Sequence, residues 1–174
     1  GNHWVINGSK TFITNGVNAD IYIISARTNP EAKGSRGISL FIGEKGMPGL
    51  KVVRRLKKHG WHSSDTAELF FDEMKVPAEN LLGEQDHGFY YIMDTFQNER
   101  LVMSASSVGA AQKAIELTVD YTKTRKAFGE SLWDKQVVRN KICWLASKVA
   151  AARAMTYQCA QMIDEGKNIV REVS

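Results

Sequence analysis

The six residues FQNERL, 96 to 101, hold two charged groups where hydrocarbon is expected. They lie in a run from Gly88 to Thr118 that reads as one long, largely apolar helix. At about 100° per residue, Phe89, Ile92, Phe96 and Met103 form one stripe. Glu99 falls on the same face, between Phe96 and Met103 along the chain, and Arg100 on its edge beside Met93. An unpaired carboxylate buried in hydrocarbon is costly, and burial favours its neutral form. A carboxylate kept there has either an arginine partner on a neighbouring helix or a proton to move. Periodicity alone leaves both readings open. Arg100 cannot easily swing onto the same patch and is expected to pair with a separate acid.

Two other stretches hold groups suited to a ligand. In RKAFG, 125 to 129, with Gln136 shortly after, a cationic fork, an aromatic and a tight turn could hold a phosphate and stack on a ring. The same cations could equally satisfy the last carbonyls and the dipole of a helix end. In TFITNG, 11 to 16, an aromatic and a hydroxyl precede a turn, which is also how an ordinary strand ends. LKVVRRLKKHG carries five cations. Cations on an exposed strand commonly form a solvated face or protect an edge, and the aromatic interleaving of a single-strand nucleic-acid binder is absent. His59 and His62 have ligand spacing only for a helix, whereas Gly60-Trp61 between them suggests a loop. Ser63, Ser64 and Asp65 resemble a hydrolase triad only in letters, with no strand–nucleophile–helix elbow around them. No metal site is expected.

These groups must be positioned by elements of two kinds. Residues 1 to about 84 read as short strands: WVI, TFIT, IYIISAR, GISLFI, LKVVRRL and AELFFDEMKV. Asn7-Gly8 and Asn15-Gly16 serve as hairpin punctuation. No helix-length segment intervenes, so the sheet should be antiparallel, a small barrel or sandwich. From residue 85 the pattern is helical: a long run to Arg125, a break at KAFGESL with Gly129, and a second run from Trp133 to Gly166. A short connection between long helices makes an antiparallel pair, part of a bundle. The fold class is thus α+β, with a β-domain over 1–84 and part of a helical domain over 85–174.

The 174 residues suffice for one ordinary domain or two small ones. Hydrophobic residues make up 43% of the chain, enough for a packed core. The net charge of +4, from 23 basic and 19 acidic residues, is too small to suggest nucleic acid. Cys143 and Cys159 have no metal-ligand partners at useful spacing and read as reduced thiols. No stretch approaches 18 apolar residues, and no signal peptide is expected from these residues. The strand-like start and helical end give the expectation that the chain is cut from a longer protein.

In order, INGSKTFITNG, GWHSSDTAELFFDEMKVPAENLLGE, a helix with ER, YTKTRKAFG and a Gln seven residues after that Gly resemble the acyl-CoA dehydrogenase family. The resemblance covers essentially the whole chain, as middle β-domain and first part of the C-terminal helical domain. It implies oxidation of an acyl-CoA to the trans-2-enoyl-CoA with FAD as cofactor and an electron-transfer flavoprotein as acceptor. It implies homotetramers in the full-length family, in the cytoplasm of a bacterium or the mitochondrial matrix of a eukaryote. Phe12, Ile13 and Thr14 match the segment lining the flavin ring, with Phe12 where most members have tryptophan. Arg125 and Phe128 match positions holding the adenosine diphosphate part of FAD from a neighbouring subunit, and Lys135 and Gln136 lie in the segment that adds to it. Gln97 and Arg100 match positions near the acyl-CoA, although many relatives have an acid in place of Gln97. Most members carry the catalytic carboxylate on a late helix. A minority, resembling the long-chain and isovaleryl-CoA enzymes, carry it where Glu99 stands, and the resemblance therefore implies Glu99 as the base. An acyl-CoA oxidase on the same scaffold, or a module that holds no FAD by itself, are the alternative readings.

Overall fold

The structure is a computed structural model that describes residues 1–173. By its contacts the chain divides into two compact units, Gly1–Ile92 and Met93–Ser174.

The first unit is antiparallel, as the strand-length segments predict. Its strands are β1 (His3–Thr14), β2 (Ile21–Arg27), β3 (Ile38–Glu44), β4 (Leu50–Arg55), β5 (Thr66–Pro77) and the short β6 (Leu81–Leu82). One sheet has the order β1-β5-β4 and the other β2-β3-β6. Alternating residues of β5, namely Ala67, Leu69 and Phe71, then Met74 and Val76, are buried, as one face of a strand requires. They meet Ile6 of β1, Tyr22 and Ile24 of β2 and Phe41 of β3 in a single core. Trp4 packs its ring 5.3 Å from that of Phe41. Each of the larger side chains contributes roughly 1.5–3 kcal/mol by leaving water.

The pair Asn7-Gly8 is not a hairpin turn. β1 runs through it as one strand, with a register shift between Ile6 and Gly8. The reason lies across the sheet. The Asn7 side chain accepts the Glu73 N–H at 2.7 Å and donates from its amide nitrogen to the Glu73 carboxylate. Glu73 itself sits at φ 49°. Asn-Gly therefore serves a bulge, which uses the same left-handed freedom as a turn. Asn15-Gly16 does turn the chain: Asn18 and Ala19 donate their N–H groups to the Asn15 carbonyl at 3.1 and 2.7 Å.

The helix α1 (Gly88–Thr124) starts in the first unit and continues into the second. A two-stranded hairpin follows, β7 (Lys126–Ala127) and β8 (Glu130–Ser131), then a 3₁₀ turn over Leu132–Asp134, and α2 (Gln136–Asp164). Residues 101–112 of α1 and 153–160 of α2 line one common groove, so the two helices run side by side. Among the described residues no helix is long and apolar enough to cross a membrane.

Candidate active site

In the first unit, the Phe12–Thr14 segment is shaped by a second bulge. Lys10 lies opposite Leu69 and Ile13 opposite Ala67, so β1 carries one residue more than β5 between them. A bulge bends its strand and re-aims a side chain. Here it places Phe12 at φ 62° with 77% of its surface exposed. Ile13 is half-buried, and Thr14, opposite Thr66, is exposed. A bulky residue in the left-handed region is a backbone outlier, and such strain clusters at ligand sites.

The turn after Thr14 is clamped by a residue that sequence reading leaves unassigned. Asp65 accepts the Asn15 N–H on its carbonyl at 3.1 Å and the Val17 N–H on Oδ2 at 2.8 Å. It is 1% exposed, and its Oδ1 has no hydrogen-bond partner among the described residues. The Tyr22 hydroxyl donates to the Gly16 carbonyl at 3.1 Å. Burial, and then the charges of Asp65 and Asp20, push the Tyr22 phenol above its ordinary range. Nothing in a single sequence marks Asp65 as a clamp, because its partners are backbone amides 48 and 50 positions away.

In the second unit, the break between the helices is an ordered hairpin that collects four of the expected residues. Arg125 donates its N–H to the Tyr121 carbonyl at 2.9 Å, closing α1, and its own carbonyl accepts the Leu132 N–H at 2.8 Å. Ala127 pairs with Glu130, so Phe128-Gly129 is a two-residue turn. Both turn residues have positive φ, 57° and 87°, the type I′ signature that ordinarily calls for Asn or Gly. Phe128 occupies the first position and is 98% exposed. Lys135 Nζ lies 2.7 Å from Glu130 and 5.6 Å from the Phe128 ring centroid. A capping box holds the approach to α2. Asp134 Oδ2 accepts from the Ser131 hydroxyl at 2.6 Å and the Ser131 N–H at 3.1 Å, and the hydroxyl accepts the Asp134 N–H at 3.3 Å. The Ser131 hydroxyl bond is the main cause of a lowered Asp134 carboxyl pKa. Gln136, the first residue of α2, is exposed. The Arg125 guanidinium is exposed and has no partner among the described residues.

On α1, Gln97 is half-buried, and its Oε1 accepts the Ile169 N–H at 3.3 Å. Glu99 and Arg100 are exposed, and neither side chain has an ion-pair partner among the described residues. The burial expected for Glu99 is therefore not found in this chain, nor is a separate acid for Arg100. Phe96 and Met103, one turn either side of Glu99, are 38% and 64% exposed. The stripe is covered unevenly: Phe89 and Ile92 are half-buried, whereas Phe96 and Met103, which flank Glu99, are exposed. Phe12–Thr14 thus belongs to one unit, and the hairpin residues with Gln97, Glu99 and Arg100 to the other.

Comparison with known proteins also divides the chain in two, between residues 74 and 86. The family description "Acyl-CoA dehydrogenase, middle domain" matches residues 1–74, and "Acyl-CoA dehydrogenase, C-terminal domain" matches residues 86–174. The long-chain specific acyl-CoA dehydrogenase of Sus scrofa mitochondria is 44% identical over 163 residues, 93% of this chain and 38% of that protein. The mitochondrial isovaleryl-CoA dehydrogenase of Pongo abelii is 40% identical over 167 residues, 95% of this chain and 40% of that protein. The crystal structure of acyl-CoA dehydrogenase from Geobacillus kaustophilus superposes with a TM-score of 0.94 at 44% identity, over 99% of this chain and 46% of that one. The chain spans less than half the length of each of these relatives. On this evidence the chain belongs to the acyl-CoA dehydrogenase family.

Proposed function

We propose that the protein containing this chain oxidises an acyl-CoA thioester to the trans-2-enoyl-CoA, with Glu99 as the base that takes the α-proton. The observation that carries this reading is an unpartnered carboxylate at Glu99 between two exposed apolar side chains, Phe96 and Met103. A carboxylate held in an ion pair is a poor proton acceptor, since the cation stabilises its charge. Exposed hydrocarbon on either side suits an acyl chain.

The residues present fit FAD. Phe12 and Phe128 are displayed in strained conformations, which is intelligible if a planar ring system covers them. Arg125 offers an unpaired guanidinium fork, suited to pyrophosphate oxygens. Phe12, Ile13 and Thr14 would line the ring. Arg125, Phe128, Lys135 and Gln136 would hold the adenosine diphosphate end from a neighbouring subunit. FAD, when bound, accepts the hydride from the β carbon. Gln97 and Arg100 would lie near the acyl-CoA; with Gln97 Oε1 engaged by Ile169, its amide nitrogen remains to donate. An electron-transfer flavoprotein would be the electron acceptor, and a homo-oligomer the assembly. The compartment would be the cytoplasm in a bacterium or the mitochondrial matrix in a eukaryote.

The test is Glu99→Gln in the full-length protein, following flavin bleaching by acyl-CoA. Loss of a positioned general base lowers the rate by about 10²–10⁴-fold. Bleaching at the unaltered rate would remove Glu99 from the mechanism.

A further inference from the structure

The loop between β4 and β5, residues 56–65, carries positive charge that no acid among the described residues pairs with. Two of the three β4 cations are paired: Lys51 with Asp72 at 2.8 Å, and Arg54 with Glu68 through two bonds of 2.7 and 2.8 Å. Arg55, Lys57 and Lys58 differ. Among the described residues they have neither an ion pair nor a side-chain hydrogen bond. Together with Leu56, His62 and Ser64 they line an open groove of about 570 Å³ that has no carboxylate in its wall. The adjacent acid, Asp65, is buried and turned to the Val17 amide. Like charges gathered without a counter-charge repel one another, and an anion bound among them relieves that repulsion.

The groove is braced rather than slack. His62 Nε2 lies 3.0 Å from the Lys58 carbonyl, which can only accept, so Nε2 carries the proton. The Ser64 N–H donates to the Trp61 carbonyl at 3.1 Å, and the Leu56 N–H to the Thr66 carbonyl at 2.8 Å.

The same loop holds Trp61 at φ 55°, 84% exposed. Three aromatic residues of the described chain have a left-handed backbone: Phe12, Trp61 and Phe128. All three are strongly exposed. The first and third fall in segments read above as flavin contacts, whereas Trp61 has no assigned role. An indole displayed in this way offers a face for stacking, and base stacking on aromatics tolerates any base.

We propose that the β4–β5 groove binds a nucleotide, its phosphates among Arg55, Lys57 and Lys58 and its base against Trp61. The site lies wholly in the first unit and does not depend on the flavin reading. Calorimetric titration of the chain at fixed ionic strength, with adenosine, inorganic pyrophosphate and ADP as probes, separates the two contributions. ADP is expected to bind saturably and at least tenfold tighter than either part. The double variant Lys57→Gln/Lys58→Gln should weaken ADP by at least tenfold, and Trp61→Ala by about tenfold. Lys51→Gln, which removes a paired cation outside the groove, should leave ADP binding unchanged. Circular dichroism of each variant checks that it is folded. Coenzyme A and FAD carry the same adenosine diphosphate group as free ADP, and titrating each identifies the carrier that fits. Equal affinities for ADP and pyrophosphate, no effect of Trp61→Ala, or equal losses in the Lys51 variant would each overturn the proposal, as would the absence of saturable binding.

Discussion

Replacing Phe128 with Asn should stabilise the second unit while weakening its hold on FAD. Phe128 occupies the first position of a type I′ turn at φ 57°. For a residue with a Cβ, the left-handed region costs about 1–2 kcal/mol. Asn recovers much of that through local hydrogen bonds of its short polar side chain. The substitution forfeits almost no burial, because Phe128 is 98% exposed. It does lose the attraction of Lys135, 5.6 Å from the ring, worth about 0.5–1 kcal/mol at an exposed site. The balance favours Asn by up to about 1 kcal/mol, which raises the melting temperature of a domain this small by roughly 4–8 °C at most. Thermal melting of the chain by circular dichroism reads the first effect. FAD titration of the full-length protein reads the second, where loss of the ring should lower affinity. A variant that melts below the parent would refute the strain argument, and one that binds FAD as tightly would refute the role of the ring.

Gly49→Ala should prevent stable folding of the first unit. A Cβ built there at φ 92° lies 2.5 Å from the Asp72 carbonyl oxygen and 2.8 Å from the Met74 nitrogen, both backbone atoms that side-chain motion cannot clear. Urea denaturation should show a loss of more than about 3 kcal/mol, above the usual range for a point mutation. Asp65→Ala removes the acceptor of the Val17 N–H, so hydrogen exchange at that amide should accelerate about tenfold or more. Unchanged protection would mean that the turn is held without the carboxylate. The raised pKa of Tyr22 gives a pH dependence. The unfolded phenol ionises first, near pH 10, while the folded one still keeps its proton. Its contribution to stability is present below pH 10 and is lost as pH rises through the folded value. In alkaline denaturation, Tyr22→Phe should therefore flatten the decline above pH 10.

Elements with a clear period were legible from residue types. Strands with alternating apolar residues, such as β5, and the two long helices appear where their patterns indicate. Residue types do not disclose local structure where a long-range bond decides it. Asn7-Gly8 has the letters of a hairpin turn, but its side chain is engaged by Glu73 across the sheet. The clamp made by Asp65 escaped for the same reason: its partners are amides of a distant turn. KAFGESL was readable as a break but not as a hairpin. Each of its strands has only two residues, too few to show alternation.

Glu99 shows why spacing can identify a side chain without fixing its surroundings. Helical periodicity places it correctly between Phe96 and Met103 on one face of α1. Whether that face is covered depends on what packs against it, and the second unit covers little of its own apolar surface. Its buried residues among those described are Thr122, Ile142, Cys159 and Ile169, whereas Val102, Met103, Leu117, Tyr121, Trp144 and Met155 remain largely exposed. The first unit, by contrast, closes a core from four strands. Apolar surface on this scale needs a cover, whether protein or ligand. The strength of a carboxylate base follows the dielectric around it. The chemistry proposed for Glu99 is therefore set jointly by its own position and by whatever completes the bundle over that stripe.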